Sequence, residues 1–142
     1  MKYEYKCAIK RVVDGDTVEL EYIDLGFGIT IKSEMVRISG IDTPECRTSD
    51  KTEKIFGLMA KERVQELLPV GSEHTLLSQD FKGKFGRILG DILIDNETKL
   101  TETLLNENLA VPYGLPNSEE LHLENRKILT EKFSLDIKIC SK

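Results

Sequence analysis

The sequence predicts an α+β domain, mainly a closed five-stranded barrel of the OB type with three helices packed against it. Three observations lead there. The first half of the chain alternates apolar and polar residues with the period of strands. Turn residues cut that half into short segments. Helical spacing appears only as an insertion near the middle and again toward the C-terminal end, an order that suits a small Greek-key barrel carrying helices.

Cys7 to Val13 alternates loosely and ends in β-branched residues, so it reads as the first strand. Asp14-Gly15 is a tight-turn signal. Thr17 to Tyr22 then alternates with period two, as a half-buried strand does. Gly26 and Gly28 mark the next bend, and Ile29 to Ile31 and Met35 to Ile38 continue as strand. Ser39 to Thr52 shows no clear period and contains Pro44, so a loop is expected. Ile55 to Leu68 carries Ile55, Met59, Val64, Leu67 and Leu68 near helical spacing, and Pro69 stops it. Thr75 to Leu77 is a short strand, Gly83 and Gly86 bracket a turn, and Arg87 to Ile94 resumes strand character. Asp95-Asn96 turns the chain into a short helix over Thr101 to Glu107, with Leu104 and Leu105 inward. Pro112, Gly114 and Pro116 break it. Asn117 or Ser118 caps a last helix whose first turn holds Glu119 and Glu120, where negative charge is favourable. Leu121, Ile128 and Leu129 supply its apolar stripe.

A length of 142 residues fits one domain with one core, spanning 1–142. Apolar residues at 39% suffice for a core, and charged residues at 32% indicate a solvated surface. No apolar run reaches the roughly 20 residues needed to cross a bilayer. The polar start, Met1 to Lys6, lacks the apolar centre of a secretory leader, so a cytoplasmic protein is expected, with a secreted form as the alternative. Cys7, Cys46 and Cys140 are far apart and odd in number, which argues against a zinc site or a disulfide framework. His74 and His122 stand alone and read as structural histidines. The net charge of −5 excludes a broad basic face, so nucleic-acid binding would need a local basic site.

Three segments carry chemistry: Val13-Asp14-Gly15-Asp16-Thr17-Val18, Val36-Arg37-Ile38-Ser39-Gly40-Ile41-Asp42-Thr43-Pro44-Glu45, and Gly83-Lys84-Phe85-Gly86-Arg87. Their acids and arginines sit at strand ends or turns, where rigid scaffolds carry functional groups. Phosphodiester hydrolysis needs a cation on a non-bridging oxygen, a group to position or deprotonate water, and fixed positive charge. Oxygen ligands without Cys or His select calcium or magnesium. Asp16 and Asp42, with the Thr43 carbonyl and waters, could supply them. Glu45, across the stiff Pro44, is near enough to act on water. Arg37 and Arg87 offer planar donor forks that match phosphate. Asp14 reads as a turn former, and Cys46 as incidental to a hard cation.

These segments, in this order, resemble the staphylococcal-nuclease family from about Lys6 to Phe133. The DGDT and R-x-x-G-x-D-T-P-E patterns are specific when found together. The resemblance implies a five-stranded OB barrel with three helices and calcium-dependent cleavage of DNA or RNA that leaves a 3′-phosphate; a monomer is the default expectation. It assigns Asp16 and Asp42 as calcium carboxylates, Thr43 as the backbone carbonyl ligand and Glu45 as the residue that activates water. It assigns Arg37 and Arg87 to the phosphate and its transition state, and Lys84 to the nucleotide's terminal phosphate. Phe85 replaces a tyrosine of the best-known member, keeping the ring without the hydroxyl. Tyr113, in Ala110-Val111-Pro112-Tyr113-Gly114, is placed to stack on a base. The hairpin between Thr17 and Arg37 is longer than in that member, and is expected either to reshape the rim of the site or to be a tolerated insertion. Relatives of this fold that lose the acids serve as non-catalytic nucleic-acid or protein binding modules; this chain keeps all of them.

Overall fold

A computed structural model describes residues 3–80 and 87–134. The chain runs β1 (Tyr3–Asp14), β2 (Thr17–Gly26), β3 (Ile29–Ile38), β4 (Ile41–Asp42), α1 (Lys51–Leu67), β5 (Glu73–Asp80), β6 (Ile88–Leu93), α2 (Leu100–Asn106), β7 (Val111–Pro112) and α3 (Ser118–Lys132). Five strands close into a barrel in the order β1-β2-β3-β6-β5, with β5 pairing back onto β1. The neighbours are antiparallel except β3 and β6, which run parallel. β4 and β7 form a separate two-stranded ribbon. The fold class expected from the alternating pattern is therefore the one observed.

Period-two alternation puts Val18 and Leu20 of β2, Val36 and Ile38 of β3, and Ile88 and Ile92 of β6 into one core, and Ile23 joins them because a bulge between Leu20 and Tyr22 shifts the phase of β2. Helix α1 closes one side of that core through Phe56, Ala60 and Val64, spaced four apart, with Leu68 following. The helix begins before Ile55, inside the segment expected to be loop. Asp50 starts it, its Oδ1 accepting the amides of Thr52 at 3.0 Å and Glu53 at 3.1 Å, which satisfies donors a helix start leaves open. The true inward stripe lies one residue past Ile55, which is exposed. Ile128 of α3 also faces outward, and Leu129 is the buried residue of that helix. Packing selects among neighbouring apolar residues that periodicity alone leaves equivalent.

The β2–β3 hairpin turns through Gly26, Phe27 and Gly28, all at positive φ. Thr17 pairs with Arg37 at one end and Gly26 with Ile29 at the other. The tip thus lies about 30 Å of strand away from Arg37. The expected Gly83–Gly86 turn and Cys140 lie outside the described residues. No helix among the described residues is long and apolar enough to cross a membrane.

Candidate nuclease site

Strand pairing assembles the site. Asp16 precedes β2, and its backbone carbonyl accepts the amide of Ile38 at 2.8 Å, which sets it beside Arg37. β3 pairs with β6 through Val36 and Ile88, bringing Arg87 to the same end of the barrel. β4 pairs with β7 through Asp42 and Val111, and the Tyr113 amide donates to the Gly40 carbonyl at 3.0 Å. Asp14, Asp16, Arg37, Asp42, Glu45 and Arg87 consequently line one cleft of about 420 Å³, together with Arg47 and Met35.

Two close approaches by α1 hold the acidic loops in place. A Cβ on Gly57 would lie 2.3 Å from the Glu45 carbonyl oxygen, so only glycine lets the helix seat the Glu45–Cys46 backbone. The Glu45 amide also donates to Glu53 Oε2 at 3.2 Å. A Cβ on Gly15 would lie 2.8 Å from that of Ala60 and 3.0 Å from Thr43 Oγ1. Gly15 is therefore needed for the contact with α1 and Thr43.

Arg37 is mostly buried, with 16% of its side chain exposed. Its Nη1 donates to the Ile38 carbonyl at 2.6 Å and its Nη2 to the Ile41 carbonyl at 3.1 Å. The same Nη2 stands 3.4 Å from Asp16 Oδ2 and 3.9 Å from Asp42 Oδ1. Two carboxylates from distant segments therefore face one guanidinium whose orientation the backbone fixes. Thr17 Oγ1 donates to the other Asp16 oxygen at 3.1 Å.

Asp14 Oδ1 is buried without a hydrogen bond among the described residues. The Glu45 carboxyl is pushed above the usual carboxylate range, first by burial and then by the charges of Asp14, Asp16, Glu53 and Asp42. Cys46 is buried, and desolvation followed by the neighbouring Asp14 raises its thiol pKa, so it is a poor nucleophile. An orphaned carboxylate oxygen beside crowded, mutually repelling acids fits a hard divalent cation. The acids share the cleft without touching: among the described residues no three His, Cys, Asp or Glu side chains are grouped closely enough to hold a metal by themselves.

The site residues expected from the sequence fall into three groups. Asp16, Asp42, Glu45, Arg37 and Arg87 are brought together in the cleft. Thr43 is buried, its side chain against Gly15, and does not line the cleft. Tyr113 is exposed at the edge, with the Arg37 guanidinium 5.8 Å from its ring centroid. Lys84 and Phe85 lie outside the described residues.

Arg47 and His122 were not expected. Arg47 brings a third guanidinium to the cleft; its place two residues after Glu45 was a usable signal. His122 Nε2 lies 3.1 Å from Asp42 Oδ2, a contact that the sequence, in which this histidine reads as structural, did not foreshadow. Eighty positions separate the two residues, and no local pattern connects them. His74 does fit that reading, bound to Ser72 Oγ at 2.8 Å and the Leu93 carbonyl at 2.9 Å.

Residues 35–131 match a family model described as "Staphylococcal nuclease homologue". The chain belongs to the staphylococcal-nuclease family. The matched segment contains Arg37, Asp42, Glu45 and Arg87 but not Asp16, which the β2–β3 pairing supplies. Family relatives in Bacillus subtilis (strain 168) include Endonuclease YncB, 29% identical over 133 residues, and the SPbeta prophage-derived endonuclease YokF, 30% identical over 133 residues. Both alignments cover 89% of this chain. Endonuclease YhcR is 27% identical over 116 residues, or 78% of the chain. The chain spans 59%, 42% and 9% of the lengths of YncB, YokF and YhcR.

Proposed function

We propose that this chain is a calcium-dependent endonuclease that hydrolyses phosphodiester bonds of DNA or RNA and leaves 3′-phosphate ends. The observation that carries the reading is the cleft itself, in which Asp16, Asp42 and Glu45 face Arg37 and Arg87. The three Bacillus relatives named as endonucleases support it.

Asp16 and Asp42 would hold the cation, with water completing an all-oxygen shell; the Thr43 carbonyl, set next to Asp42 but off the cleft lining, would join only if that loop turned it inward. Bound there, calcium would act as a Lewis acid on a non-bridging phosphate oxygen. Glu45 accepts a proton from the attacking water, and its raised pKa makes it a stronger base than an ordinary glutamate. Arg37, already oriented by two backbone carbonyls, and Arg87 donate to the phosphate as negative charge accumulates during in-line attack. Tyr113 offers an exposed ring on which a base can stack. Lys84 is assigned to a terminal phosphate and Phe85 to a ring contact with the nucleotide. All these groups come from one chain, so the active unit is taken as a monomer.

The test is cleavage of plasmid, single-stranded DNA and RNA across a calcium titration, with EDTA as control. Calcium-dependent cutting, with ends that a polymerase extends only after phosphatase treatment, is the expected result. Equal cutting in EDTA, or none at any calcium concentration, overturns the reading.

A further inference from the structure

The structure assigns His122 as a positioning residue that orients Asp42 and ties helix α3 to the cation site; the assignment rests on the calcium reading above. An ionised carboxylate only accepts hydrogen bonds, so His122 Nε2 donates to Asp42 Oδ2. That leaves Oδ1 as the oxygen turned toward Arg37. The His122 side chain is 15% exposed, against 41% for Asp42. The imidazole is thus the packed, stationary partner and the carboxylate the one being held.

A purely structural role explains this contact poorly. α3 is already fastened by other groups. Asn125 Nδ2 donates to the Ala110 carbonyl at 3.2 Å, and its Oδ1 accepts from Asn108 Nδ2 at 3.1 Å. The Arg126 guanidinium stands 5.8 Å from the Phe56 ring centroid, and Leu129 is buried. His74, the histidine with a structural role, bonds a backbone carbonyl and a serine. His122 instead bonds a carboxylate of the cleft. Partners of this kind fix the direction of a ligand oxygen and set its readiness to bind. Linkage makes the effect reciprocal: whatever Asp42 gains from a docked α3 when it binds a cation, α3 gains in docking from the bound cation.

The experiment is calorimetric titration with calcium alone, without nucleic acid, on wild type, His122→Ala and His122→Gln, with amide exchange across α3 measured with and without calcium. His122→Ala is expected to bind calcium about tenfold more weakly. His122→Gln, which keeps an N–H donor at similar reach, should recover most of that loss. Calcium should slow α3 exchange in wild type and in the glutamine variant, and leave it unchanged in the alanine variant. Unaltered calcium affinity in His122→Ala, or a glutamine variant as weak as alanine, overturns the assignment. If the alanine variant fails to fold, His122→Leu, which fills the space without an N–H donor, takes its place: a loss of about tenfold against a near-wild-type glutamine variant supports the role, and unaltered affinity refutes it. A wild type that binds no calcium refutes the metal reading and this assignment together, whereas a wild type that binds calcium, with variants that bind it equally well, refutes only the latter.

Discussion

Two charged clusters of this molecule make opposite use of arginine. On the side of the barrel where α1 meets α2, Arg63 pairs with Glu107 through two near-parallel bonds, Nε to Oε1 at 2.7 Å and Nη2 to Oε2 at 2.9 Å. Both oxygens of the acid are satisfied, so the pair is balanced and does nothing beyond joining two elements. In the cleft, Arg37 lies near two carboxylates and satisfies neither bidentately, Asp14 keeps a buried oxygen with no partner among the described residues, and the Glu45 carboxyl is raised first by desolvation and then by its neighbours' charge. Charge left unbalanced at a cost to the fold is what separates a site built for a ligand from a structural bridge.

The contrast is broken hardest at Glu45. Glu45→Gln should lower kcat by about 10²- to 10⁴-fold, the range for loss of a positioned base. The same substitution should stabilise the calcium-free protein at neutral pH. A folded-state pKa above the unfolded value means that the folded protein is penalised as the pH rises past the ordinary glutamate range, and fully so once above Glu45's own pKa. Urea midpoints in EDTA should therefore differ between variant and wild type at pH 7 and converge as the pH falls below the ordinary glutamate value. A variant less stable than wild type at pH 7 would show the acids to be structural.

Arg87→Ala comes next, with an expected loss of about 10²- to 10³-fold in kcat, the usual effect of removing one donor to developing charge. Cleavage kinetics at saturating calcium measure it, and retained activity would remove Arg87 from the mechanism. Gly57→Ala sharpens the comparison from the backbone side. Its methyl group must displace the Glu45 carbonyl, so about 1–3 kcal/mol of stability should be lost together with activity. Loss of stability with unchanged kcat would mean that α1 does not hold Glu45 in place. The smallest effect belongs to the balanced pair. Both of its side chains are about one-third exposed, so Arg63→Ala should cost about 0.5–1 kcal/mol in thermal or urea unfolding and leave kcat unaltered.

How much of this could be read beforehand differs from element to element. The alternation in Thr17 to Tyr22 identified β2 because a half-buried strand must repeat every two residues. The end of the loop before α1 was misplaced because Asp50 acts as a cap only through the geometry of the amides after it. Ile55 was assigned inward because apolar spacing fixes a period but not its phase; Phe56 and Ala60 set the phase by packing. In the site, the acids and arginines were legible because their types and order sit in short, specific motifs. Arg47 was overlooked although it stands two residues after Glu45, and His122 because its partner lies on another element.

The sequence by itself determined the barrel class, the family and the chemical identity of the cleft, because residue type and short-range spacing carry that information directly. Only the tertiary structure decided which groups meet. Strand register placed Asp16 beside Arg37, glycine-sized gaps on α1 seated the Glu45 loop, and the β4–β7 ribbon carried α3 and His122 to Asp42. Those distances follow from packing between segments far apart in the chain, which no local pattern encodes.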